Sequence, residues 1–239
     1  MAIVKILIVG AGRAGTSFAM ALREGARHDV RLVHHDELGA PIDADLVLLC
    51  VRDDAIAETS RHVAVGPTTV VAHVAGSRGL DVLSGHRRVG SIHPLVTMPD
   101  ARIGAERLRG AVFAVAGDPL LEDVVDSLGG RVIDVPADRR VPYHATAAAA
   151  ANHLVALMGH VEALASDCGL DLQDFLPLAH QALDDVARVG PSRALTGPAS
   201  RGDFDTIGAH LAAVASEERA TYAVLAERAQ RLAVEAAMR

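Results

Sequence analysis

Three glycines near the amino terminus have the spacing of a phosphate-binding turn: Gly10, Gly12 and Gly15. They follow the apolar run of residues 3–9 and precede a segment with helical periodicity. In such a strand–turn–helix unit the first glycine permits the tight turn, the second lets a pyrophosphate approach the backbone, and the third lets helix and strand pack closely. The free N–H groups at the start of the helix would bind the anion. We therefore expect a dinucleotide to contact Gly10, Gly12, Arg13, Ala14 and Gly15. The alternative is a structural turn that has lost its ligand.

The second predicted strand comprises residues 30–33. The residues that follow this strand bear on the choice between NADP and NAD. An acid about 20 residues beyond the glycine turn binds the ribose hydroxyls of NAD, whereas basic residues accommodate the 2′-phosphate of NADP. Asp36 has the position of such an acid, while His34 and His35, with Arg13 in the turn, would serve a phosphate. We favour NADP and keep NAD as the alternative. A solvated polar turn without a ligand is the third interpretation.

Further cofactor contacts are expected at the ends of later strands. Residues 45–51 and 69–74 are apolar runs that predict two more buried strands. Ligands of parallel α/β sheets bind outside the carboxyl ends of the strands. We therefore expect Val51, Asp53 and His73 to line the cofactor site. Asp53 or Asp54 is also expected to cap the helix that follows.

Two histidines are candidate proton donors for a hydride transfer, which requires a proton for the developing anion. His93 follows the predicted strand 88–92 and is fixed by Pro94, and His144 lies beside Tyr143 near the start of a long predicted helix. Asn152 comes eight residues after His144, just over two helical turns, so we expect it on a similar face. The alternatives are a structural turn histidine at His93 and a polar network that ties helix to sheet.

The predicted loop of residues 190–203 supplies the candidate substrate contacts. Arg201 would bind a substrate carboxylate with its forked guanidinium, and Thr196 lies in the same loop. Alternatively, Arg201 and Asp203 pair with each other and cap the next helix. The sequence contains no HExxH, CxxC or carboxylate cluster, so we expect no metal.

The order of elements predicts the fold class. Strands alternate with helices up to Pro136, and from Asp138 onward the pattern is helical, with helices over 139–168, 171–188 and 204–236, the last broken near Ala215. This order predicts an α/β protein with a Rossmann-like, doubly wound, mostly parallel sheet followed by an all-α helical domain. We place the dinucleotide-binding domain at 1–136 and the helical substrate and dimerisation domain at 137–239.

The composition and charge of the chain disfavour nucleic acids and membranes as binding partners. The chain has 239 residues, a formal charge of −7 and 50% hydrophobic residues, and shows neither a basic stripe nor an aromatic platform for nucleic acid. No apolar run reaches the roughly 20 residues of a membrane span. Two distant cysteines and the lack of a signal-peptide pattern favour a cytoplasmic protein. The alanine-rich stretch 145–151 and the apolar final helix favour a homodimer, since both offer surface for a partner helix.

Several motifs carry a resemblance to a known family. The motifs are Val51-Arg52-Asp53-Asp54-Ala55-Ile56, Ser91-Ile92-His93-Pro94-Leu95, Tyr143-His144-Ala145, Asn152-His153-Leu154, Leu195-Thr196-Gly197-Pro198 and Arg201-Gly202-Asp203. On these motifs the chain resembles a Rossmann-like NADP oxidoreductase family labelled only as a domain of unknown function, and more distantly ketopantoate reductases, pyrroline-5-carboxylate reductases and hydroxyacid dehydrogenases.

The resemblance implies a reaction class. It implies hydride transfer between NADP and a small carboxylate-bearing ketone or imine, with ketopantoate as the named candidate, in a homodimer. The hydroxyacid dehydrogenases carry a lysine four residues before the asparagine, where this chain has Ala148, so that lysine's chemistry does not transfer. The alternative is a non-catalytic dinucleotide-binding or sensor protein.

Overall fold

A seven-stranded sheet forms the centre of the first half of the chain. The computed structural model describes residues 3–25, 28–38 and 42–237. The strands are β1 (Lys5–Val9), β2 (Asp29–Val33), β3 (Leu46–Leu49), β4 (Val70–His73), β5 (Arg88–Pro94), β6 (Val112–Gly117) and β7 (Arg131–Ile133). Their order is β2-β1-β3-β4-β5-β6-β7. The first five strands are parallel, β6 is antiparallel to β5, and β7 is parallel to β6. The predicted mostly parallel, Rossmann-like sheet is confirmed.

Strand β1 shows why the sheet is covered on both faces. Its side chains alternate, so that Ile6 and Ile8 join one apolar core while Leu7 and Val9 join the other. All four are at most 6% exposed. A continuous apolar run is what a strand between two cores requires. Phe18 from the first helix is fully buried in the first core, and Ile56 is fully buried in the second.

Eleven helices are found in the described residues, and they cover the sheet and then form the second half of the chain. They are α1 (Arg13–Gly25), α2 (Ile56–Arg61), α3 (Ala101–Leu108), α4 (Leu120–Ser127), α5 (Arg140–Ala148), α6 (Leu154–Asp167), α7 (Leu172–Val189), α8 (Pro191–Ala194), α9 (Gly197–Arg201), α10 (Phe204–Ala213) and α11 (Arg219–Ala237). Past Ile133 the described residues form only helices and turns. An all-helical second half is therefore confirmed.

Three local features differ from the expectations. The long helix predicted over 139–168 is interrupted by a π turn, Ala149–His153, between α5 and α6. The loop expected at 190–203 contains the short helices α8 and α9, since proline stands in the first turn of each and fits a helix start. Ala55, rather than Asp53 or Asp54, occupies the position before α2.

The chain divides into two compact units, Met1–Ala150 and Ala151–Arg239. The first unit contains the sheet and α1–α5, and the second contains α6–α11. The sequence-based domain boundary at residue 136 stays a prediction. Among the described residues, no helix combines the length and the apolarity that a membrane crossing demands.

Candidate functional site

The glycine turn lies between β1 and α1, where two of its glycines are required by the protein's own packing. Gly10 has a φ of +108°, and a Cβ there would lie 2.5 Å from the carbonyl oxygen of Cys50. A Cβ on Gly15 would lie 1.9 Å from the carbonyl oxygen of Gly10. Any side chain at either position would therefore collide with the main chain.

Gly12 is different, because no packing contact in the described residues excludes a side chain there. A Cβ built there meets no atom of the described residues within 4 Å, and the φ of Gly12 lies outside the left-handed region. Gly12 is exposed, and its carbonyl accepts the first helical hydrogen bond of α1 from Thr16, at 3.0 Å. The open space therefore lies directly at the amino end of a 13-residue helix, where free N–H groups and the helix dipole favour an anion. These features fit a dinucleotide pyrophosphate.

The loops that follow the neighbouring strands lie along the same edge of the sheet. Because β1 to β5 are parallel, their carboxyl ends share this edge. Val51 is half-buried, and the exposed Asp53 accepts a 2.8 Å hydrogen bond from the hydroxyl of Ser77, which links the loops after β3 and β4. Both predicted residues therefore lie at the edge where the sequence analysis expects the cofactor.

The ring of His73 is fully buried, and both of its nitrogens are occupied. Nδ1 accepts from the N–H of Ala75 at 3.2 Å, so that Nε2 carries the proton and donates to the carbonyl of Gly79 at 3.1 Å. Burial lowers the pKa of His73, which keeps the ring neutral. A cofactor contact of this residue stays a prediction, and in this conformation only its backbone is available for one.

The residues expected to select the cofactor lie after β2 and at the start of α1. His34, His35 and Asp36 are exposed, and the N–H of His34 donates to the carboxylate of Glu37 at 3.0 Å. Arg13 is also exposed. The amide of Gly10 donates to the carbonyl of Val33, which holds the end of β2 beside the glycine turn. The choice between NADP and NAD is thus left to side chains that are free to adjust to a ligand.

The structure brings His93 and His144 together and adds Tyr143 to them. Nδ1 of His93 lies 2.8 Å from the hydroxyl of Tyr143, and the two rings meet edge to face with centroids 5.5 Å apart. The ring of His144 lies 5.6 Å from that of His93. A Cβ on Gly76 would lie 2.5 Å from Cδ2 of His144 and 2.8 Å from Nε2 of His93. Only a glycine at position 76 therefore leaves room for both imidazoles.

Burial controls the charges in this cluster. The pKa of His93 falls to about 4, mainly because burial disfavours the imidazolium and additionally because His144 and Arg140 repel it. Burial raises the pKa of Tyr143 above its ordinary value. At neutral pH the pair is therefore a neutral imidazole and a neutral phenol.

Arg140 was missed by the sequence analysis. It is 3% exposed, and Nη2 donates to the carbonyl of Ala75 at 3.1 Å, while Nε and Nη1 are buried without a hydrogen-bond partner in the described part of the chain. The sequence offered only one signal, its position three residues before Tyr143 on a helix, which places both on one face. A single arginine at a helix start is common, so that signal did not distinguish it.

The remaining predicted site residues belong to the second unit. Asn152 is exposed within the π turn, which interrupts the helical spacing used to relate it to His144. Thr196 and Arg201 are exposed beside and within α9. Asp203 caps α10 through the N–H of Thr206, which is the capping part of the alternative interpretation of this loop; the expected pairing of Arg201 with Asp203 is not among the ion pairs of the described residues. No group of three potential metal ligands occurs among the described residues.

Comparison with known proteins supports the resemblance found in the sequence. Residues 112–229 match the family described as "Domain of unknown function (DUF2520)". The suspected family is thereby confirmed over this part of the chain. No curated protein gives a significant match to the sequence.

Solved structures show the same fold over nearly the whole chain. A candidate NADP oxidoreductase from Bacteroides fragilis is 22% identical, with a TM-score of 0.81 over 96% of this chain and 98% of its own. A reductive aminase from Aspergillus terreus in complex with NADPH and ethyl levulinate is 17% identical, with a TM-score of 0.66 over 96% and 94%. A pyrroline carboxylate reductase from Plasmodium falciparum with NADP bound is 10% identical, with a TM-score of 0.60 over 96% and 98%. At these identities the likeness establishes the fold.

Proposed function

We propose that this chain, with its DUF2520 match over residues 112–229, is an NADP-dependent oxidoreductase. The observation that carries the proposal is the contrast within the glycine turn. Gly10 and Gly15 are required by the fold itself, whereas Gly12 faces open space. A glycine that no packing contact of the described residues requires is explained by a ligand that approaches its backbone. The related folds solved with NADPH or NADP support the choice of this ligand.

The residues that would hold the cofactor follow from their places in the fold. The main chain at Gly12, Arg13 and Ala14 would bind the pyrophosphate, and His34 and His35 would lie beside the ribose 2′-phosphate. NADPH, when bound, supplies a hydride. The chain itself would have to align the substrate, exclude water and provide a proton. His93, His144 and Tyr143 are the candidates for the last task, because they meet in one partly buried cluster at the end of β5.

We further propose a small carboxylate-bearing ketone or imine as substrate. Arg201 would bind its carboxylate, and Thr196 and Asn152 would orient it; all three are exposed and therefore free to bind a ligand. Compounds with ketone, amine and imine groups occur in complexes of the related Aspergillus terreus enzymes. The neutral His93–Tyr143 pair suits either substrate, since both need one proton as the hydride is added.

The second candidate is a non-catalytic dinucleotide-binding or sensor protein. Ala148 stands where related dehydrogenases have a lysine, which favours this alternative. The experiment is a screen of NADPH oxidation with 2-keto acids, ketones mixed with amines, and cyclic imines, together with calorimetry of NADPH and NADH. Binding without turnover on any substrate class would favour the sensor, and turnover would exclude it.

We also propose a homodimer formed by the helical half. Every residue of α7 from Gln181 to Val189 is exposed, including the apolar Leu183 and Val186. Apolar side chains that stay exposed on a helix contribute little to its stability. A second copy of the chain would cover them.

A further inference from the structure

The hydroxyl of Tyr143 is better placed than either ring nitrogen of His93 to reach a substrate. Nδ1 of His93 is engaged by this hydroxyl, and Nε2 faces the main chain at Gly76. A phenol oxygen has one donor and two acceptor sites. If Nδ1–H donates to the phenol oxygen, the O–H of Tyr143 remains free for another acceptor. Tyr143 is only half-buried, so the protein does not enclose its side chain completely.

Arg140 places a buried positive charge beside this pair. It lies one helical turn before Tyr143 on α5, and its charge acts to lower the pKa of the phenol. No carboxylate among the described residues lies within ion-pair distance of it, and two of its N–H-bearing nitrogens are without partners. A buried cation without an anion is costly. A negative charge that forms next to it during a reaction would supply the missing counter-charge.

We propose that Tyr143 delivers the proton to the substrate, that His93 positions its hydroxyl, and that Arg140 stabilises the phenolate that remains. The inference rests on the proposed oxidoreductase function and selects Tyr143, instead of His93 or His144, as the proton donor. Tyr143 is the catalytic residue, and His93 and Arg140 are positioning residues.

The O–H bond of Tyr143 breaks, and its proton forms an N–H or O–H bond on the substrate heteroatom while the adjacent carbon accepts a hydride derived from NADPH. The electron pair of the broken bond stays on the phenolate oxygen, which accepts the Nδ1–H bond of His93. The substrate is reduced by two electrons and the nicotinamide is oxidised by two. Solvent returns a proton to Tyr143 before the next turnover.

The first test is optical and needs no substrate. The chain has two tyrosines and no tryptophan, so Tyr222→Phe leaves Tyr143 as the only phenol. An alkaline absorbance titration of this protein gives the midpoint of Tyr143. Arg140→Met should raise this midpoint, because the charge that favours the phenolate is lost, while Arg140→Lys should keep it nearer to the parent value. Circular dichroism at each pH confirms that the titrated protein is folded. Equal midpoints for the arginine and methionine proteins would overturn the role of Arg140.

The second test is the pH dependence of turnover with a substrate from the NADPH screen. With Tyr143 as donor, kcat should stay level through neutral pH and fall only in the alkaline range, since the acid must be protonated to act. With His93 as donor, kcat would fall as pH rises above about 4, the pKa of this buried imidazole. Tyr143→Phe should lower kcat by roughly 10²–10⁴-fold and leave NADPH affinity unchanged. The matched control Tyr222→Phe should turn over normally.

The two possible failures are distinguishable. If the wild type oxidises NADPH and Tyr143→Phe does so within about threefold, well below the range of a general acid, the inference is wrong and the proposed function stands. If the wild type neither binds NADPH nor oxidises it, the proposed function fails, and the inference fails with it.

Discussion

Replacing Gly12 with valine should abolish most NADPH affinity and leave the fold intact. In the part of the chain that the structure describes, no atom lies within 4 Å of a Cβ at this position, so the new side chain extends into the space that we propose for the pyrophosphate. The free energy of unfolding should fall by no more than about 1 kcal/mol, because glycine is a somewhat better residue than valine before a helix. If two charge-assisted hydrogen bonds at roughly 1.5–3 kcal/mol each are lost, Kd should rise by about 10²–10⁴-fold.

Two control variants separate ligand contact from packing. Gly85→Val also adds a side chain at an exposed glycine, and no atom of the described residues lies within 4 Å of the new Cβ. Because Gly85 lies far along the chain from the turn, NADPH affinity should not change. Gly15→Ala places a Cβ 1.9 Å from the carbonyl of Gly10 and should lower the melting temperature markedly. The assay is isothermal calorimetry with NADPH and NADH, with a thermal melt of each protein. A folded Gly12→Val protein that binds NADPH as tightly as the wild type would refute the assignment of the site.

Three further outcomes are expected. Sedimentation at micromolar concentration should show a dimer, and Val186→Glu, which puts a charge on the exposed apolar face of α7, should give a monomer; a monomeric wild type would contradict the dimer. Gly76→Ala should displace both cluster imidazoles and lower kcat without loss of NADPH affinity, whereas unchanged turnover would show that their positions do not matter. The guanidinium of Arg88 donates two hydrogen bonds of 2.7 Å to the carboxylate of Asp118. This ion pair lowers the pKa of Asp118. The ion pair therefore stabilises the fold at neutral pH, and this stabilisation is lost as pH falls through the lowered pKa. In urea titrations Asp118→Asn should therefore cost about 1–3 kcal/mol at neutral pH and much less in strong acid; an equal cost at both pH values would disprove the ion-pair argument.

The sequence by itself determined the fold class, a mostly parallel sheet followed by helices, and it predicted where the cofactor would bind. Residues 3–9 are continuously apolar because β1 has a core on each face, and a run of this kind can be recognised without a structure. The conformation of the glycine turn depends on residues that are neighbours along the chain, so the spacing of the glycines was enough to predict the turn. The change from alternating to purely helical pattern likewise follows from local periodicity. Local determinants of this sort are what a sequence displays directly.

Only the tertiary structure decided which polar residues act together. His93 and Tyr143 are fifty residues apart, and their hydrogen bond exists because α5 returns to the end of β5. The sequence could not show that Gly76 closes the Nε2 side of His93 or that Arg140 is buried without a counter-ion. It also gave no sign of the π turn at Ala149–His153, since alanine fits an α-helix equally well. The burial of these side chains, the charges near them and their hydrogen-bond partners depend on packing between distant segments. For these reasons we propose the tyrosine, and not a histidine, as the proton donor.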